Sequence, residues 1–107
     1  MNVNVGKEIK MAGFTYKVIF KEHDRDLRAR NLYGEQSGAM QEIRVDSGFS
    51  QERTNETFLH ETLHAVDEAY NNATLSEEEN TRLSAGLHQV FEQLGINFIQ
   101  GGKDKNE

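Results

Sequence analysis

The chain of 107 residues is 36% hydrophobic and carries 12 basic against 18 acidic residues, for a formal net charge of −6. That length supports one domain with one modest core, and the acidic balance lacks the basic footprint of a nucleic-acid binder. Cysteine is absent, so disulfides and thiolate ligands are excluded, and any metal site must be built from His, Asp or Glu.

No apolar run approaches the length of a membrane span, and MNVNVGKEIK lacks the cationic-then-apolar layout of a signal peptide. The expectation is a cytoplasmic protein without membrane or nucleic-acid partners. Residues 1–100 read as a single domain. The end of the chain, 101–107 (GGKDKNE), is too polar to order itself and reads as a tail.

In chain order, Phe14, Tyr16, Val18 and Phe20 of FTYKVIF alternate with other residues, the pattern of a half-buried strand. Ala12-Gly13 suits a turn back to an earlier strand over Glu8 to Met11, with Val3 and Val5 starting that pairing. HDRDLRAR, from His23, is charged and aperiodic and reads as a solvated loop or short helical turn. Leu32 to Glu35 and Glu42 to Asp46 then read as an antiparallel pair around the loop Gln36 to Ala39.

Ser50 can cap a helix reaching Tyr70, with Phe58, Leu59, Leu63 and Val66 as its apolar stripe. Asn71 to Thr74 breaks that pattern, and a second helix is expected from Ser76 to Leu94 with Gly95 just past its end. Strands followed by two helices give an α+β fold.

The first helix contains His60-Glu61-Thr62-Leu63-His64. Imidazoles four positions apart lie on one helical face and can hold a divalent metal from a rigid platform. Glu61, beside the first of them, is placed to take a proton from water activated by that metal. Two histidines and a solvated glutamate also occur in ordinary helices, so the surroundings must decide.

A third ligand is expected from the second helix. With Leu83 at zero and about 100° per residue, Leu87, Val90 and Leu94 fall within about 40° of it, and so does Glu79, whereas Glu77 and Glu78 point elsewhere. If that apolar stripe packs inward, Glu79 is an inward carboxylate that needs a cation, and His60, His64 and Glu79 form a zinc set. Two capping boxes compete for the acids: Ser76 to Glu79, which occupies Glu79 at the helix start, and Thr74 to Glu77, which frees it. Asp67 tracks the histidine face and could orient a ring or simply be solvated.

HETLHAVDEAY and LSEEENTRLSAGLHQV, with the LYGE and EIRVD segments upstream, resemble the gluzincin type of zinc metallopeptidase, particularly the very small domains of phage and prophage genomes. The resemblance spans about residues 14–94. It implies a minimal zincin-like fold: a small antiparallel or mixed sheet, the HExxH helix and a second packed helix. It also implies one zinc ion held by His60, His64 and Glu79, with Glu61 as catalytic base. The connection from His64 to Glu79 is shorter than in thermolysin-like members. A residue opposing the metal is not evident, and Tyr33, Tyr70, Arg82 and His88 are the candidates.

The activity expected is hydrolysis of peptide bonds, endopeptidase rather than exopeptidase, on a peptide or protein lying along a strand edge near Gly34. If the chain is phage-encoded, the compartment is the host cytoplasm. The alternative is a catalytically inactive zincin-fold binding or regulatory module.

Overall fold

Phe14–Lys21 alternates as expected and becomes the longest strand, but its burial is uneven. Tyr16 and Val18 are buried, whereas Phe14, next to the turn, is exposed. The computed structural model describes residues 1–101. The tail expected over 101–107 lies, apart from Gly101, outside the described residues.

The elements run β1 (Asn2–Asn4), β2 (Glu8–Met11), β3 (Phe14–Lys21), α1 (Arg25–Ala29), β4 (Gly34–Ser37), β5 (Glu42–Asp46), α2 (Gln51–Tyr70), α3 (Glu77–Gln93) and β6 (Asn97–Ile99). The fold is α+β. A mixed four-stranded sheet has the order β2-β3-β5-β4, and a separate two-stranded sheet joins β1 to β6. β2 pairs with β3 and β4 with β5 antiparallel, as the turn chemistry predicts. Ala12 and Gly13 both have positive φ, the geometry of a tight hairpin turn. β3 and β5 pair in parallel at the centre.

Val3 pairs differently from expectation. β1 does not continue the hairpin but runs parallel to β6, Val3 opposite Phe98. The side-chain amide of Asn55, buried in α2, anchors that added strand: its Oδ1 accepts from the Phe98 amide at 2.8 Å and its Nδ2 donates to Asn97 Oδ1 at 3.1 Å. A three-residue strand recruited by a buried asparagine leaves little local pattern to read.

The charged HDRDLRAR segment is a largely exposed helical turn, as expected, but two of its residues are buried. Leu27 is completely buried and Asp24 caps the turn by accepting from the Leu27 amide. Arg44 reaches Asp24 through both carboxylate oxygens at 3.0 Å, and Arg28 pairs with the buried Asp46 at 2.6 Å. These ion pairs pin α1 against β5 and fix the segment leading into β4.

α2 lies on the sheet through Phe58, Leu59 and Ala65. Phe58 meets Val18 and Val45 in the core and contacts the rings of Phe20 and Phe98, at centroid distances of 5.7 and 4.9 Å. Val66, expected in the buried stripe, is 36% exposed. α3 ends in a Schellman motif, with Gly95 at φ 74°, its amide donating to Glu92 O, and the Ile96 amide donating to Phe91 O.

The rotation of α3 overturns the reading of its apolar stripe. Leu83, Leu87, Val90 and Leu94 are 51, 41, 52 and 62% exposed, while Asn80 and Ser84 are buried against α2. The two stripes lie roughly 90° apart around the helix. Among the described residues, no helix is long and apolar enough to cross a membrane.

Candidate metal centre

The turn between the helices decides which acid reaches the histidines. Asp67 is 5% exposed, and its carboxylate accepts from Asn71 Nδ2 at 2.9 Å and from the Leu75 amide at 3.3 Å. Asp67 therefore ties down the connection and does not orient a histidine. Asn72 and Ala73 turn the chain through positive φ, and Ser76 then caps α3.

The capping box is complete. Ser76 Oγ accepts from the Glu79 amide at 3.0 Å, and Glu79 Oε1 accepts from the Ser76 amide at 2.8 Å. Glu79 is thus occupied at the helix start, and the structure does not bring it to His60 and His64 as the sequence reading expected. Glu77 takes that place. Its Oε2 stands 3.2 Å from His60 Nε2, and its Oε1 stands 3.0 Å from His64 Nε2.

His60 and His64 both present Nε2 to the Glu77 carboxylate, with ring centroids 4.8 Å apart and planes at 86°. One ligand atom from each of His60, His64 and Glu77 lies within 4.8 Å of the others. The two short nitrogen-to-oxygen spacings involve different oxygens of Glu77, and ligand atoms about 2.05 Å from a tetrahedral zinc stand about 3.3 Å from one another, so the three donors would draw in slightly to hold the ion. A two-histidine, one-carboxylate set is also a donor combination of catalytic zinc sites. Burial, helped by the neighbouring His64, lowers the His60 pKa despite the opposing pull of Glu77. The neutral ring with a free lone pair, which a metal requires, is thereby favoured.

Glu61 lies beside this cluster at 9% exposure, and burial, reinforced by the charges of Glu77 and Glu35, pushes its carboxyl up to about 7. A cation held by the three donors would draw it back down. Gly34 explains how β4 comes so close. A Cβ there would lie 2.5 Å from Thr57 Cγ2, 2.7 Å from the Arg44 carbonyl oxygen and 3.2 Å from Glu61 Cγ. The missing side chain lets the edge strand close onto α2 at the level of Glu61.

A cleft of about 330 Å3 opens beside the cluster, lined by Tyr33, Gly34, Thr57, His60, Glu61 and Ser84 among others, while His64 and Glu77 lie outside its lining. Of the four candidates for a group facing the metal, Tyr33 alone lines this cleft; its ring stacks under Arg53 at 4.3 Å. Tyr70 accepts from the Ala12 amide through its hydroxyl, Arg82 pairs with Glu78, and His88 lies three turns along α3 from Glu77.

Glu77 was missed because the apolar stripe was taken to face inward. Its signal was the polar series Glu77, Asn80, Ser84 and His88, spaced by three and four residues. Searches of this chain against protein-family models, curated proteins and solved structures find no match to any of the three.

Proposed function

We propose that this chain is a zinc-dependent peptidase whose metal is held by His60, His64 and Glu77, with Glu61 as general base. The observation that carries the reading is the convergence of donor atoms from His60, His64 and Glu77 next to a buried carboxylate, with His60 and Glu61 also lining a cleft. Zinc, when bound, supplies Lewis-acid polarisation of a carbonyl and lowers the pKa of water.

Glu61 does the proton work. Its carboxylate takes a proton from the attacking water and delivers it to the departing amine nitrogen, so carbonyl carbon gains oxygen as its bond to nitrogen breaks. Its enclosed position excludes competing water and keeps its basicity above that of a solvated glutamate.

β4 stands at the end of the sheet order and its free edge passes the same cleft. An extended peptide adding to that edge would gain main-chain hydrogen bonds and bring a mid-chain carbonyl over the site, which favours endopeptidase action. A cytoplasmic setting, in the host cell if the chain is phage-encoded, is compatible with described helices that are too short or too polar to cross a membrane.

The test is a peptide-library cleavage assay on zinc-loaded protein, run beside Glu61→Gln. Cleavage that needs zinc and is lost in Glu61→Gln is expected. Cleavage unchanged in Glu61→Gln would reject Glu61 as base, and zinc binding without cleavage would favour the inactive binding module.

A further inference from the structure

Around His60 the second ring nitrogen is enclosed, and it faces α3. Ser84 Oγ lies 3.3 Å from His60 Nδ1, and Ser84 is 1% exposed. The serine proton is committed elsewhere, since Ser84 Oγ donates to the Thr81 carbonyl at 3.2 Å. Its oxygen is therefore left as an acceptor towards the imidazole. Asn80 Nδ2, at 3.5 Å from the same nitrogen, donates to the His60 carbonyl at 3.2 Å.

A neutral imidazole that gives its Nε2 lone pair to a metal must carry its proton on Nδ1, and a buried N–H without an acceptor weakens the ligand. We propose that Ser84 is a positioning residue: its hydroxyl oxygen accepts the Nδ1 proton of His60 and holds the ring in the tautomer and orientation that present Nε2 to the metal. This rests on the zinc reading above. His64 has a more exposed side chain, at 29% against 22% for His60, so the support from α3 falls on His60.

α3 then contributes twice to the site, through Glu77 as a donor and, two turns later, through Ser84 behind the opposite ligand. The buried polar stripe that turns the leucines outward has a function in this arrangement.

The experiment measures zinc affinity by chelator competition for the full chain and for Ser84→Ala, Ser84→Thr and Asn80→Ala. It is joined by urea stability of each metal-free protein and by ring 15N and Nδ1–H NMR signals of the zinc-loaded forms. Ser84→Ala should lose about 10- to 100-fold in zinc affinity, the usual effect of removing such a support. Its His60 Nδ1–H should shift and exchange faster while the His64 signals stay in place. Ser84→Thr, which keeps the oxygen, should recover affinity.

Zinc affinity and His60 signals unchanged in Ser84→Ala, with the full chain binding zinc normally, would overturn the assignment alone. Loss in Asn80→Ala but not in Ser84→Ala would overturn it in favour of the amide, whose Oδ1 is buried without a partner. A full chain that binds no zinc would overturn the zinc reading itself, and the assignment with it.

Discussion

α2 and α3 solve the same packing problem in opposite ways. α2 buries Phe58, Leu59 and Ala65 against the sheet and displays His60 and His64 on its far side. α3 buries Asn80 and Ser84 against that far side and leaves Leu83, Leu87, Val90 and Leu94 in solvent contact. The surface α2 offers to α3 carries histidine and carboxylate, so the apolar stripe of α3 finds no apolar surface there and stays exposed. Polar complementarity therefore set the rotation of α3, and this chose Glu77 over Glu79.

The largest expected effects strike the face of α2 that α3 covers. His60→Ala or His64→Ala should abolish both zinc binding and peptide cleavage. Glu61→Gln should keep zinc at one equivalent and lower turnover by at least about 100-fold, the range for a removed general base. Elemental analysis alongside the cleavage assay separates the two classes, and equal zinc content in all three variants would overturn the division into ligands and base.

The next test separates neighbours on α3. Glu77→Ala removes one of three donors and should weaken zinc sharply while leaving metal-free stability within about 0.5 kcal/mol. Glu79→Ala should do the reverse, costing about 1 kcal/mol through the lost capping box with zinc affinity intact. Zinc titration and urea unfolding on the same two proteins read both; a zinc defect confined to Glu79→Ala would mean that α3 is turned by roughly one face from the orientation described.

That distinction also marks how far the sequence could be read. The strands over 8–11, 14–21 and 42–46, the hairpin at Ala12-Gly13 and both long helices were legible because their signals are local: alternation, a turn pair, an N-cap and a C′ glycine. His60 and His64 were legible as a pair because helical spacing alone brings them together, and Glu61 was legible from its place next to the first of them. The third donor was not, since it depends on the rotation of one helix against another. β6 escaped for a similar reason: its partner, β1, lies at the other end of the chain.

A third comparison sets the core face of α2 against its site face. Phe58→Ala empties a well-packed core position and should cost about 3–5 kcal/mol in urea unfolding. Glu61→Gln should act with the opposite sign in the metal-free protein. A carboxyl whose folded pKa is raised to about 7 favours the folded state while protonated, and that contribution is lost as pH rises from the ordinary glutamate value through 7. Glu61→Gln should therefore match the parent near pH 4 and exceed it above pH 7, by at most on the order of 3 kcal/mol. Equal stability at both pH values would show that Glu61 is not desolvated.

The smallest effect belongs to the outward stripe of α3, and it is the most direct check on the orientation of that helix. If the stripe lay inward, Leu87→Gln would place an unpaired amide in a core and cost several kcal/mol. With Leu87 41% exposed, the amide stays hydrated, and the loss should remain below about 1 kcal/mol. Helix propensity barely changes between leucine and glutamine, so the measurement isolates burial. Urea unfolding of metal-free Leu87→Gln beside Ser84→Leu makes the contrast internal. Ser84→Leu forces a bulky side chain into the interface behind His60 and should destabilise by more than its neighbour one turn on. The reverse order would restore the inward leucine stripe and, with it, Glu79 as the acid that faces the histidines.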